Sequence, residues 1–179
     1  AVLREEHGEW AIQGDPTDAA FLVAEYKMRG LHEEIESRFE RIGEVPFTSE
    51  RKLMSTIQSD AWKENVVVSK GAPDVLLTRC TEERVGGEHR PLTDTRRAQI
   101  LAEVDRMAAD AMRTLAVAYH PISNGQEIPE DESIENDLVF LGTVGIIDPP
   151  RDEARDAISV AKRAGIRIVM ITGDHPIPA

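Results

Sequence analysis

The apolar and polar positions of this chain alternate with two different periods, and the changes between them mark its elements. A short strand is expected at Trp10–Gln13, followed by a helix that Asp15 caps, Pro16 opens and Asp18 favours by charge in its first turn. Ala19, Leu22, Val23 and Tyr26 recur at helical spacing, which predicts a helix to Arg29 with Gly30 as its stop. A shorter helical piece is expected at Leu31–Ser37. Phe39–Phe47, Lys52–Ser59 and Asn65–Lys70 then read as strands, with Gln58, Ser59 and Asp60 as turn formers between the last two.

Pro73 opens a helix carrying Val75, Leu76 and Leu77, and Val85–Leu92, with two glycines and a proline, reads as a turn or short hairpin. Thr93 and Asp94 precede the longest helix, Asp94 to about Met112, whose Ile100, Leu101, Val104, Met107, Ala108 and Ala111 form one stripe. Thr114–His120 is an alternating strand, and the acidic stretch Ser123–Asp137, with its proline and glycine, reads as an exposed loop. The pattern changes at Leu138. A strand to Ile147, the Pro149-Pro150 pair, a helix from about Asp152 to Ala164, Gly165 and an apolar strand Ile166–Thr172 predict a strand-helix-strand unit of a parallel sheet. A domain boundary is therefore expected near Asp148, giving domains at 1–147 and 148–179. The fold class is α+β: an antiparallel sheet flanked by helices, then a partial α/β unit.

Length and composition narrow the function. The chain has 179 residues, 41% apolar and 30% charged, which fits one globular domain with part of a second. No apolar run reaches the roughly 20 residues of a membrane helix. One cysteine, Cys80, rules out an internal disulfide, and a cytosolic, reducing setting is expected. A net charge of −12 argues against nucleic acid or an anionic membrane surface as a partner. It would also repel a nucleotide at long range, so a nucleotide site here must depend on locally placed cations and a stacking ring.

Such groups stand together in VPFTSERKLMS (Val45–Ser55) and VSKGAP (Val68–Pro73). Phe47 offers a ring for a base, while Lys52 and Lys70 offer point charges for phosphates. The same residues also read as an ordinary core aromatic and as strand-edge charges that discourage aggregation. Gly71 reads equally as a plain strand-to-helix turn. The five histidines and one cysteine have no metal-ligand spacing.

These two segments resemble the ATP-site segments of the nucleotide-binding domain of P-type cation-transporting ATPases, in the branch that includes calcium pumps. GDPTDAA (Gly14–Ala20), RTLAVAY (Arg113–Tyr119), DPPR (Asp148–Arg151) and MITGDH (Met170–His175) resemble the same family in the same order. The resemblance implies that Phe47 stacks on adenine, that Lys52 and Lys70 line the nucleotide, and that Gly71 lets backbone approach it closely. It implies a phosphate contact for Arg113, a flanking role for Leu115, and a place near adenine for Thr17 and Asp18. Asp18 stands where the motif commonly has Glu, and its competing role is in the helix cap. Arg113 competes as a helix C-terminal cation. Ser49 replaces the arginine of animal reticulum calcium pumps, so weaker binding of the same ligand is expected.

By the same resemblance, Asp148 belongs to a hinge, and Thr172, Gly173 and Asp174 to a phosphate-side loop of a haloacid-dehalogenase-like phosphorylation domain. For Asp148 the alternative is a plain hinge residue before two prolines. The family's phosphorylated aspartate sits in a DKTGT run and its later magnesium motif is GDGxND; neither occurs in this sequence. The expectation is an internal piece of a pump on the cytoplasmic side of the membrane, lacking the first elements of its nucleotide domain. It would bind ATP, with Mg2+ in the whole pump, and work with the remaining phosphorylation, actuator and transmembrane domains. Two alternatives stay open: an interaction module that has lost ATP, and a soluble haloacid-dehalogenase-type phosphatase.

Overall fold

A computed structural model describes residues 2–6, 9–28, 37–60, 62, 64–123, 128–129, 131–147 and 152–169. Strands β1 (Val2–Glu6) and β2 (Glu9–Gln13) form an antiparallel ribbon. Helix α1 (Pro16–Lys27) follows, with the Asp15 side chain accepting the Thr17 N–H at 2.7 Å. Then come β3 (Phe39–Val45), β4 (Leu53–Asp60), β5 (Asn65–Gly71), α2 (Pro73–Arg79), β6 (Cys80–Val85) and β7 (Glu88–Pro91). Helix α3 (Asp94–Ala109), β8 (Arg113–Ile122), a 3-10 turn (Glu132–Ile134), β9 (Leu138–Ile146) and α4 (Asp152–Arg163) complete the order.

Strands β3 to β9 make one seven-stranded sheet in the order β3-β4-β5-β8-β9-β6-β7. Every neighbouring pair is antiparallel except β6 and β9. The architecture is therefore α+β, as expected, with a mostly antiparallel sheet.

Side-chain alternation gives this sheet two unlike faces. Leu53, Ala116, Ala118, Leu138 and Phe140 turn inward against α2 and α3, where Leu76, Leu77, Cys80, Leu92 and Ile100 complete the main core. A Leu or Ile side chain buried there contributes about 1.5–3 kcal/mol. Val45, Ile57, Val67 and Ile134 form a smaller cluster. The strand register sets Met54 opposite Lys70 and Lys70 opposite Val117, so these three form a row across the other face. Leu115 and Arg113, two and four residues before Val117, share that face by parity.

Several expectations are corrected. Gln58 and Ser59 pair with Val66 and Asn65 instead of turning. The turn falls after them, and Asp60 organises it by accepting the Trp62 and Glu64 N–H groups, both at 2.9 Å. Helix α3 ends at Ala109, and Ala111 lies beyond it with φ of 58°. The segment read as an exposed loop contains buried Ile134 and Glu135. The Leu138 strand, expected to open a parallel strand-helix-strand unit, instead belongs to the large sheet, antiparallel to β8 and parallel to β6. Residues 166–169 are not a strand, and the rest of that predicted strand lies outside the described residues, as do residues 31–36 of the helical piece expected at Leu31–Ser37.

Candidate functional site

Lys70 reaches the site from near the end of β5, where the buried Val67 and Ser69, at alternate positions before it, fix its direction away from the core. Its Nζ lies 2.5 Å from Asp18 Oδ1 on α1 and 5.6 Å from the centre of the Phe21 ring. Lys70 is thus held by a carboxylate and lies over an aromatic face, an arrangement that favours a cation. Arg113 opens β8 and donates through Nη1 to Thr17 Oγ1 at 3.3 Å. Its position four residues beyond the end of α3 removes the reading as a helix-terminal cation, a place that Arg106 occupies.

The two strands and the N-terminal turn of α1 therefore bring Thr17, Asp18, Lys70 and Arg113 together. Asp15 belongs to the same corner. Its carboxyl is held below the ordinary value first by the Thr17 N–H and hydroxyl, with the Arg113 charge a minor contributor. Leu115 is half-buried on the Arg113 face of β8.

The turn before β4 presents two further candidates to solvent. Phe47 is 57% exposed, which removes its reading as an ordinary core aromatic. Lys52 is exposed as well and adopts a left-handed conformation with φ of 55°. The Lys52 N–H donates to Thr48 O at 2.8 Å, and its carbonyl accepts the Ala72 N–H at 3.0 Å. Gly71 makes this docking feasible, because a Cβ there would stand 2.2 Å from the Lys52 carbonyl oxygen and 2.6 Å from Leu53 Cδ2. The close approach at Gly71 is thus already made by the Lys52 backbone. Ser49 lies exposed in the same turn.

Three residues that sequence reasoning passed over belong to this region. Phe21 falls outside the helical stripe of Ala19, Leu22, Val23 and Tyr26, of which Tyr26 is in fact 41% exposed. Arg51 sits inside the SERK run, yet its Nη1 donates to Glu135 Oε2 at 2.9 Å. The Glu135 side chain is fully buried, and its Oε1 accepts the Ser55 hydroxyl at 2.7 Å. No local signal reveals partners more than 80 residues away.

Asp148, Thr172, Gly173 and Asp174 lie outside the described residues. Cys80 is buried, its thiol donates to Leu76 O, and burial pushes its pKa up to about 12. Among the described residues, no group of three or more His, Cys, Asp or Glu is placed to hold a metal ion. No described helix is long and apolar enough to cross a membrane.

Residues 1–153 match the family described as P-type ATPase, cytoplasmic domain N. The chain is 43% identical over 173 residues to a calcium-transporting ATPase of Bacillus subtilis, covering 97% of this chain and 19% of that protein. It is 38% identical over 172 residues to calcium-transporting ATPase 1 of Lactococcus lactis, covering 96% of this chain and 19% of that protein. A sodium/potassium exporting P-type ATPase of Schizosaccharomyces pombe is 36% identical over 178 residues, covering 98% of this chain and 17% of that protein. The chain thus spans about one-fifth of the length of such relatives. A match over most of the chain, with relatives above 30% identity along nearly all of it, establishes that this chain belongs to the P-type ATPase cytoplasmic domain N family.

Proposed function

We propose that this chain is the ATP-binding portion of a P-type cation-transporting ATPase and that it positions ATP for phosphoryl transfer to an aspartate outside these residues. The observation that carries the reading is the convergence of Lys70 and Arg113, from neighbouring strands, on Thr17 and Asp18 of α1. Two cations converging on one corner of a chain whose net charge is −12 fit a polyphosphate better than a neutral ligand. The exposed Phe47 ring supplies a stacking face for adenine. Lys52 and Gly71 lie beside each other at the edge of this surface, and Leu115 supplies an apolar flank.

ATP is held in this reading by Phe47, Lys52, Lys70, Gly71, Arg113, Leu115, Thr17 and Asp18. Mg2+ would accompany its phosphates in the whole pump, and no residue of this chain is assigned to the metal. Catalysis then consists of positioning and charge neutralisation, as in other phosphoryl transfers. Residues 148–179 are assigned to the start of a haloacid-dehalogenase-like phosphorylation domain, with Asp148 at its hinge and Thr172, Gly173 and Asp174 in a phosphate-side loop. The partners are that domain's remainder, an actuator domain and membrane helices, which place this portion on the cytoplasmic side. Calcium is the ion named for two of the relatives above and sodium/potassium for the third, so calcium is the first cation to test.

One observation favours a second reading, an interaction module that has lost ATP: Asp18 already neutralises Lys70. Titrating ATP into the 15N-labelled chain separates the two. The expected result is saturable shifts around Phe47 and Lys70 with a dissociation constant on the order of 0.1–1 mM, or about −4 to −5.5 kcal/mol. Phe47→Ala should then cost about 1–3 kcal/mol. Absence of shifts at both residues would overturn the assignment in favour of the module. The absence of a DKTGT run further predicts that labelled ATP leaves no acid-stable, hydroxylamine-sensitive phosphate on this chain.

A further inference from the structure

The turn that presents Phe47 and Lys52 is clamped at both ends by one side chain. Arg51 Nη2 donates to the carbonyl of Pro46, immediately before Phe47, at 2.5 Å, and to that of Leu53, immediately after Lys52, at 3.1 Å. Its Nε reaches Thr48 Oγ1 at 3.4 Å, and Nη1 donates to Glu135 Oε2 at 2.9 Å. The guanidinium is a planar fork with several donors in fixed directions, so holding it fixes the carbonyls it binds.

Glu135 does the holding from outside the turn. Its carboxylate is fully buried and takes the Ser55 hydroxyl at 2.7 Å on its other oxygen, and Ser55 Oγ lies 2.7 Å from Ser69 Oγ. Ser55 and Ser69 face each other across β4 and β5, one residue before Lys70. The preceding residue, Ile134, packs in the cluster of Val45, Ile57 and Val67, which fixes where Glu135 stands. A buried carboxylate and a nearly buried guanidinium, 15% exposed, persist only when paired and hydrogen-bonded in this way.

We infer that Arg51 and Glu135 are positioning residues of the nucleotide site, which set the separation of the Phe47 ring and the Lys52 ammonium before the ligand arrives. The inference rests on the ATP-site reading above. Neither residue touches the ligand. Their contribution is preorganisation: with the clamp in place, binding does not have to order the turn.

Arg51→Lys is the discriminating variant, because an ammonium can still pair with Glu135 but cannot span the Pro46 and Leu53 carbonyls. Glu135→Gln is its companion, keeping the shape while removing the charge. ATP affinity is read by NMR titration, and amide hydrogen exchange is followed on each variant shown by circular dichroism to be folded. In Arg51→Lys, ATP should bind roughly threefold to tenfold more weakly. The Lys52 and Ala72 amides should exchange about tenfold faster while those of Val67 and Ala118 keep their wild-type rates, the signature of local opening. Unchanged affinity in Arg51→Lys overturns the inference because the order of the turn then does not affect binding, and exchange that rises equally at all four amides overturns it because the pair then acts only on global stability. A wild-type chain without saturable ATP shifts overturns the site reading itself and this inference with it. Wild-type binding with unaltered Arg51→Lys binding removes only the inference.

Discussion

Lys70 Nζ and Asp18 Oδ1 meet at 2.5 Å although 52 residues separate them, so the first turn of α1 and the end of β5 are tied at the point where a ligand phosphate would have to compete. The two side chains are 27% and 35% exposed, and pairs that remain in contact with water contribute about 0.2–1 kcal/mol. A double-mutant cycle with Lys70→Ala and Asp18→Ala, followed by urea unfolding, should give a coupling in that range. A coupling above about 2 kcal/mol would show the pair to be a structural bolt rather than an exchangeable partner.

Lys70 should nevertheless be the most damaging charge to remove for ligand binding. A hydrogen bond to a charged group contributes about 1.5–3 kcal/mol, so Lys70→Ala should weaken ATP about tenfold or more. Lys162→Ala, on the exposed face of α4, should leave the affinity unchanged. Equal binding by the two variants in an NMR titration would move the site elsewhere.

Gly71 should tolerate no side chain. The added Cβ of Gly71→Ala meets backbone, the Lys52 carbonyl oxygen, which a rotamer change cannot relieve. A destabilisation of about 1–3 kcal/mol is expected in urea unfolding, by the usual magnitude of overpacking. The Lys52 and Ala72 amide signals should shift most in its NMR spectrum.

The cap of α1 should be sensitive to acid. Asp15's carboxyl, accepting the Thr17 N–H, titrates below the ordinary 3.8 in the folded chain. Its contribution is complete above the unfolded value and is lost as pH falls through the lower native one. Followed by NMR from about pH 6 to about pH 2, the Thr17 amide shift should turn over below the ordinary aspartate pKa. A midpoint at or above that value would contradict the cap.

Cys80 should be inert in the folded protein. The thiolate is the reactive form, and with the pKa raised to about 12 by burial its population at about pH 8 falls on the order of a thousandfold below that of a free thiol. Labelling with a disulfide reagent should therefore be slow in buffer and fast in urea. Comparable rates in the two conditions would mean that the α2–β6 junction opens readily.

The elements easiest to read were those with their own punctuation. Asp15-Pro16 set the start of α1, Ala72-Pro73 that of α2, and Thr93, accepting the Arg96 N–H, that of α3. Strand β6 was missed because it follows α2 directly, with no glycine or proline between them, and CTEERV carries no apolar alternation. The β4–β5 turn lies later than the turn-forming chemistry of Gln58 and Ser59 suggests, because their pairing with Val66 and Asn65 prevails. Lys70, Asp18, Thr17 and Arg113 stand out through the family resemblance, whereas their meeting in one corner follows only from the fold. The Arg51–Glu135 pair was not, because an acidic stretch with proline and glycine reads as solvent-exposed whatever its long-range partners.

The strand order of the large sheet carries a kinetic consequence. β4 and β5 adjoin in sequence and can zip as a hairpin within about 1–10 μs, whereas β5 meets β8 only after the whole α2–α3 stretch has been brought across. Closing that long excursion is the slow step for sheets built from distant segments. Lys70 is therefore set early and Arg113 late, so the corner where they converge comes into being only with the docking of β8. That corner stays incomplete until the residues of β8 have paired with β5.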